Sequence, residues 1–184
     1  MISPENVLIF LNQHVKSPNM IKHCLASKAV LEALALRLNK DHVEWGMAGL
    51  LHDIDVEITQ GDPYRHGPYA ATMLEGMLSP EAIDAIVMHN EKATGKERTT
   101  VFQHALAAGE TITGLIMATA MVYPDKKLAS VKTKSITKRM KEKAFAASVK
   151  RENIMECELI GIPLEEFAEL SLLAMQKISD ELGF

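Results

Sequence analysis

The dipeptide His52-Asp53 constrains the fold of this chain more than any other feature of its sequence. It closes an apolar segment, residues 45–51, and so places an imidazole nitrogen and a carboxylate oxygen side by side at the end of a buried helix. Donors delivered one per helix into a common core are how helical bundles build metal centres. Further donors of this kind occur at intervals that each accommodate about one helix: His23, His66, His89 and Glu110.

Helix start and stop signals divide the chain into helices. The pairs Ser17-Pro18 and Ser79-Pro80 are typical of an N-cap followed by proline in the first helical turn. Aromatic residues make up only 5% of the chain, and no alternating strand pattern is present. The predicted fold is an all-α bundle with helices at 4–15, 20–39, 41–53, 65–77, 80–89, 100–121, 135–149, 152–160 and 163–182.

Length and cysteine usage predict the organisation of the chain. Its 184 residues favour one domain over 1–184, with a metal-binding core at about 20–120 and basic and C-terminal helices at 125–184. Cys24 and Cys157 form no CxxC motif, so we expect buried free thiols in a reducing cytoplasm. The N-terminus lacks the basic region of a signal peptide, so none is expected.

Glu110 is the only residue with a formal charge between Arg98 and Asp125. It interrupts the apolar stretch 105–123, which we therefore interpret as a buried core helix rather than a membrane span. An ionised carboxylate inside such a helix costs several kcal/mol unless it is paired or bound to metal. A metal is the favoured partner, and pairing with a buried histidine or lysine, or a neutral carboxyl group, stays open.

Charge is distributed unevenly along the chain. Residues 126–151 hold ten Lys/Arg and one acid, a net charge of +9, so the remainder of the −4 chain carries −13. Two interpretations account for this positive charge. The segment is either a solvated helix face or a surface that overhangs the metal and binds phosphate. The overall negative charge and the scarcity of aromatic residues argue against nucleic-acid binding. The candidate phosphate ligands are Arg65, Lys134, Lys138 and Arg151.

Residues 55–65 form an acidic loop directly after the metal-binding dipeptide. Asp55, Glu57 and Asp62 belong to it, and Gly61-Asp62-Pro63 supplies a turn. Such carboxylates can position a water molecule or a leaving group. We expect a plain solvated loop instead.

Five short segments resemble the HD superfamily of metal-dependent phosphohydrolases. The resemblance is to small single-domain members, and it extends into the basic region at 145–151. The segments are Met-Ile-Lys-His-Cys-Leu-Ala (20–26), Leu-Leu-His-Asp-Ile-Asp (50–55), Tyr-Arg-His-Gly-Pro-Tyr-Ala (64–70), Met-His-Asn-Glu-Lys-Ala-Thr-Gly (88–95) and Ala-Ala-Gly-Glu-Thr-Ile-Thr-Gly-Leu-Ile (107–116).

This resemblance implies an HD-domain helical bundle with one or two bound metal ions. By position, His23, His52 and Asp53 correspond to ligands of the first metal. His66 and His89 correspond to the extra histidines of members that bind two metals. The mixed nitrogen and oxygen donors suit Fe, Mn, Co, Ni or Zn.

Glu110 is a departure, because this position usually carries aspartate in the family. Glutamate keeps the carboxylate but adds a methylene, which can preserve ligation, move the metal or weaken the site. We expect metal binding to be retained.

The implied function is a metal-dependent hydrolase of a phosphomonoester or phosphodiester, with a nucleotide as the predicted substrate and metal-activated water as the nucleophile. Asp53, His66 and His89 are the predicted catalytic residues: Asp53 binds and orients, and the histidines complete a second site or steady the phosphate. Two alternatives stay open, a degenerate HD domain that binds a nucleotide as sensor or scaffold, and an HD-like diiron oxygenase. A homodimer is common for such domains, and no membrane partner is expected.

Overall fold

The computed structural model describes residues 3–184, and this part of the chain contains helices and turns but no strand. The all-α prediction is therefore confirmed. Two 3₁₀ turns, Leu128–Ser130 and Glu156–Ile160, accompany the α-helices. The helices are α1 Pro4–His14, α2 Pro18–Arg37, α3 His42–Leu51, α4 Pro68–Leu74, α5 Pro80–His89, α6 Glu91–Thr94, α7 Val101–Met121, α8 Thr133–Met140, α9 Arg151–Met155, α10 Leu164–Gln176 and α11 Ser179–Leu182.

Side-chain caps form at helices that carry the site, and those at Ser17 and Ser79 confirm the predicted ones. The Ser17 and Ser79 hydroxyls accept hydrogen bonds from the first turns of α2 and α5, and the Asp41 carboxylate does so at α3. Thr100 and Gln103 form a reciprocal capping box at the start of α7. Because each cap satisfies backbone N–H groups that the helix leaves unpaired, it fixes where each helix begins.

Helix α7 is the buried centre of the bundle and packs against α2, α5 and α9. Glycine allows two of the closest helix approaches. A Cβ at Gly49 would lie 2.8 Å from the Ser27 carbonyl oxygen, and a Cβ at Gly109 would lie 2.5 Å from Leu31 Cδ2. These close contacts draw α3 and α7 onto α2. The metal-type donors on the three helices are thereby brought to one place.

Helix α7 includes most of the apolar stretch 105–123, and its residues there are largely buried, as expected for a core helix. Among residues 3–184 no helix has the length and apolar character needed to cross a membrane. Cys24 and Cys157 are both buried free thiols, which confirms that prediction.

Several predicted helix boundaries are wrong. The helix predicted at 65–77 covers only Pro68–Leu74, because residues 54–67 form successive turns that end at Gly67, whose φ is +93°. The segment 91–98 was predicted as a loop but begins with the short helix α6. The last predicted helix is interrupted between α10 and α11, where Ile178 leaves helical geometry.

The helix predicted at 135–149 ends at Met140, and residues 141–149 form turns. The cause is the Arg151 guanidinium, which donates to several backbone carbonyls of this segment. Its Nη1 lies 2.7 Å from both Ala146 O and Val149 O. Five charge-assisted bonds to carbonyls in turn geometry offset the helical hydrogen bonds that the segment gives up.

Candidate metal centre

Helix α7 carries Glu110, and four further elements of the bundle deliver the other predicted donors to the same region of the core. His23 lies in the first turns of α2, and His52 and Asp53 follow directly after α3. His66 lies in the turns before α4, and His89 is the last residue of α5. Helix ends and first turns project side chains towards neighbouring helices, so short sequence motifs at these positions can converge on one point.

His23, His52 and Asp53 form what we call the first triad. His23 Nε2 lies 3.1 Å from His52 Nε2, and Asp53 Oδ2 lies 3.6 Å and 3.4 Å from these two nitrogens. One donor atom from each residue lies within 4.8 Å of the others, so the three can hold one metal ion. His52 is only 1% exposed, whereas the His23 side chain is 23% exposed and lines the cavity described below.

Asp53, His66 and His89 form the second triad. Asp53 Oδ1 lies 3.1 Å from His66 Nε2 and 3.5 Å from His89 Nε2, and the two nitrogens are 3.0 Å apart. In this triad too, one donor atom from each residue lies within 4.8 Å of the others, so the three can hold one metal ion. Asp53 therefore directs Oδ2 to the first triad and Oδ1 to the second, the arrangement of a carboxylate that bridges two metals.

All four histidine rings use Nδ1 to contact the protein. His52 and His89 donate Nδ1–H to the carbonyls of Gly49 and Ile86, and His66 contacts the Asp55 carboxylate at 2.7 Å. These acceptors hold the proton on Nδ1 and leave the Nε2 lone pair directed at the site. Two Nε2 atoms with free lone pairs would repel each other at 3.0–3.1 Å, so each pair needs a proton or a cation between its nitrogens. The donor set thus fits a bound metal.

The electrostatics of the centre favour a positive charge. Burial alone would raise the pKa of Asp53, but His52 and hydrogen bonds from the histidines hold it well below its usual range. Burial opposes protonation of His66, yet hydrogen bonds to Asp53 and Asp55 raise its pKa to about 10. Burial and the neighbouring His52 lower the pKa of His23. The carboxylates that favour a proton on His66 equally favour a metal cation.

Glu110 lies beside the first triad rather than within it. Its Oε2 is 3.7 Å from His23 Nε2, and its other oxygen accepts a hydrogen bond from Thr111 Oγ1. The side chain is 17% exposed, so the carboxylate reaches the edge of the cavity. This position agrees with a metal ligand that closes on an ion and with a carboxylate paired to a buried histidine, so both sequence interpretations of Glu110 stay open.

A cavity of about 310 Å³ opens above the centre. It is at the small end of the range for ligand sites. Its floor is formed by His23, His66, His89 and Glu110. The rest of its lining mixes polar and apolar groups: Asn90, Thr111, Gly114, Ser148, Val149, Lys150 and Asn153.

The structure does not bring the four predicted phosphate ligands to this cavity. The Arg65 guanidinium lies over the Tyr69 ring, 5.7 Å from its centroid. Lys134 and Lys138 are on α8, and neither lines the cavity. Arg151 donates to backbone carbonyls of residues 139–149, so its guanidinium organises the chain. The charge count identified the basic segment but could not show which side chains face the metal centre.

Asp55 is a functional residue that the sequence prediction missed. The expectation of a plain solvated loop is wrong for this residue, which is fully buried. Besides His66 Nδ1, its carboxylate accepts the backbone N–H groups of Gly67 and Ala70 at 2.9 Å and 3.0 Å. Its position two residues after Asp53, with the apolar Ile54 between them, was the available signal.

Two further residues were missed because their roles depend on tertiary contacts. The Asn90 amide donates to Pro63 O at 2.7 Å and to His66 O at 2.9 Å, so it ties the turn that carries His66 to the end of α5. Lys150 lines the cavity and pairs with Glu91 at 2.5 Å. No sequence motif distinguishes Lys150 from the nine other cationic residues of the basic segment.

Four histidines that converge on a shared aspartate in a helical bundle form a site that could hold a divalent metal. The chain belongs to the HD-domain family: the HD domain model matches residues 20–121, more than half of its length. The match spans every predicted metal donor from His23 to Glu110. No curated protein and no solved structure matches the chain.

Proposed function

We propose that this protein is a cytoplasmic, metal-dependent phosphohydrolase that cleaves a phosphomonoester or phosphodiester, with a nucleotide as the predicted substrate. The observation that carries the proposal is the division of Asp53 between two triads whose His23, His66 and His89 line an open cavity. Membership of the HD-domain family supports the same reaction class.

The chain's own residues prepare the site for one or two metal ions. His23, His52 and Asp53 would hold the first ion, and Asp53, His66 and His89 the second. A divalent Fe, Mn, Co, Ni or Zn ion, when bound, lowers the pKa of water and polarises a phosphoryl oxygen. The backbone and carboxylate acceptors behind the rings keep each Nε2 in its binding tautomer.

The cavity residues have supporting roles in this proposal. Asp53 orients the reacting groups between the two triads, and His66 and His89 fix the second position. Asp55 holds the His66 ring from behind, and Asn90 holds its backbone. Because the cavity is open and histidines of both triads line it, a phosphate group can reach the centre while the remainder of the ester extends towards solvent.

One observation favours the second candidate, a domain that binds a nucleotide as sensor or scaffold. Glu110 is not among the donor atoms that lie within 4.8 Å of one another in either triad. A first site with three close donors from the protein is less complete than one with four. Weaker metal binding there would leave a domain that binds a phosphate compound without turning it over.

The proposal is tested by loading the protein with Mn, Fe, Co, Ni or Zn and measuring phosphate release from nucleotides, p-nitrophenyl phosphate and bis-p-nitrophenyl phosphate. Asp53→Asn, which keeps the side-chain shape and removes its charge, is the matched inactive control. We expect turnover by the wild type that the variant loses. Nucleotide binding without turnover across all metals would support the sensor alternative, and oxygen consumption by the iron-loaded protein would support the oxygenase.

A further inference from the structure

We infer that Lys150 binds the terminal phosphate of the substrate in this cavity. The phosphate it binds is the dianionic group of a monoester. This inference rests on the proposed phosphohydrolase function for its context but stands on its own contacts. Among the lining residues of the described chain, Lys150 is the only lysine or arginine. It lines the same cavity as His23, His66, His89 and Glu110.

The wall that carries Lys150 is held in place by Arg151. The guanidinium of Arg151 donates to the carbonyls of Ala146 and Val149 at 2.7 Å, and to the carbonyl of Phe145. These bonds stop the segment from continuing helix α8 and turn Ser148, Val149 and Lys150 towards the cavity. The position of Lys150 is thus set by a charged anchor that directly follows it in sequence.

A chain of charged groups links Lys150 to the second triad. Lys150 Nζ donates to Glu91 Oε1 at 2.5 Å, and Arg98 donates to the other oxygen of Glu91 at 3.2 Å. Arg98, whose side chain is only 6% exposed, also donates to the carbonyl of Met88 at 3.0 Å and that of His89 at 3.4 Å. The ammonium group is therefore placed relative to the end of α5, where His89 projects into the centre.

The ammonium group retains capacity for a ligand. It has three N–H donors, and within residues 3–184 Glu91 is the only acceptor recorded for it. A lysine acts on phosphate as a compact point charge, which suits the doubly charged terminal group of a monoester better than the single charge of a diester. The bond to Glu91 therefore leaves N–H donors of the ammonium group for a ligand.

The side chains of the Lys150–Glu91 pair are 43% and 40% exposed. Exposed ion pairs of this kind contribute little to folding stability. Lys150→Ala can therefore test ligand binding without unfolding the protein. Lys143→Ala is the matched control, because it removes one positive charge from an exposed position in the same segment.

The experiment measures the affinity of inorganic phosphate by calorimetry, with the protein as purified and after metal loading, together with metal content. Loss of a charge-assisted hydrogen bond predicts that Lys150→Ala weakens phosphate binding about 10- to 100-fold. We expect metal content to be unchanged, Lys150→Arg to restore part of the affinity, and Lys143→Ala to behave as wild type. If the enzyme turns over a monoester, KM should rise more than kcat falls.

Phosphate affinity that is unchanged in Lys150→Ala, or absent from the wild type, would overturn the inference. The outcomes also separate this inference from the proposed function. Lys150-dependent phosphate binding without hydrolysis of any ester would leave the inference standing and reject the hydrolase. Hydrolysis with the same KM in wild type and Lys150→Ala would support the hydrolase and reject the role of Lys150.

Discussion

The two triads of the centre share Asp53 but differ in how the rest of the chain supports them. In the first triad, the His23 and His52 rings are backed by neutral acceptors, the Thr113 hydroxyl and the Gly49 carbonyl. In the second, His66 is backed by the buried Asp55 carboxylate. A carboxylate behind an imidazole makes it a stronger donor than a carbonyl or hydroxyl does.

Each triad also has one additional carboxylate, but the two occupy opposite sides. Glu110 stands in front of the first triad, 3.7 Å from His23 Nε2 and at the edge of the cavity. Asp55 stands behind the second and is closed off from solvent. Negative charge can therefore support a metal either by direct approach or through a histidine ring. Only the direct approach leaves the carboxylate open to substrate and solvent.

Asp53→Asn should have the largest effect, because it alters both triads at once. The variant removes the charge that both pairs of histidines surround, and we expect metal affinity to fall by more than about 100-fold at each site. Elemental analysis of metal per chain checks this. Two equivalents in the wild type and none in the variant would confirm the shared role, whereas a variant that keeps one equivalent would show that the two triads are independent.

Asp55→Asn should affect only the second triad. The amide cannot accept from His66, Gly67 and Ala70 together, so we expect about 10- to 100-fold weaker metal binding and a loss of about 1–3 kcal/mol in unfolding free energy. Metal titration and denaturant unfolding measure the two effects. Asp62→Asn, in the same loop, is the control, because its side-chain oxygen can still accept from Tyr64 N. Loss of both metals in Asp55→Asn would contradict the division into two triads.

Glu110→Gln should weaken the first triad selectively and by a smaller factor, because Glu110 lies outside the close donor set. We expect metal affinity there to fall about tenfold while the second site is unchanged. Glu110→Asp keeps the charge and shortens the side chain, so it distinguishes the effect of the charge on metal affinity from the effect of side-chain length. Glu169→Gln, exposed on α10, controls for the loss of one acid. If Glu110→Gln leaves both affinities unaltered, the glutamate is a bystander of the metal centre.

The difference between local and tertiary contacts explains which features could be predicted from the sequence. His52-Asp53 and the caps of α2 and α5 depend on local chemistry, so the helical fold and the metal-type donors were predicted from short patterns. Asp55 was assigned to solvent because its partners Gly67 and Ala70 lie 12 and 15 residues away. Burial of a loop carboxylate depends on those tertiary contacts, which no local pattern displays.

The basic segment shows more clearly what could not be predicted from the sequence. Its charge is evident from the sequence, but the carbonyls of residues 139–149 bind Arg151 and end helix α8 early. A single guanidinium thus overrides the helical propensity of the segment. The cation that lines the cavity is then Lys150, rather than the lysines of α8 that share one face in an uninterrupted helix.

Thr113→Val should have the smallest effect and tests the neutral support of the first triad. The Thr113 hydroxyl donates to the Glu110 carbonyl at 2.6 Å, so it must accept from His23 Nδ1, 3.0 Å away, and this keeps the proton on Nδ1. Valine has nearly the same shape but cannot fix the tautomer. We expect the first site to lose about tenfold or less in metal affinity.

Thr119→Val is the matched control for this variant. Thr119 is also buried on α7, and its hydroxyl donates to a helix carbonyl, that of Leu115, but it contacts no histidine. Nitrogen-15 NMR of the His23 ring reports the tautomer independently of metal content. Equal tautomer populations in wild type and Thr113→Val would show that the geometry around α2, rather than the hydroxyl, orients this ring. The two triads would then differ only in the placement of their additional carboxylates, Glu110 and Asp55.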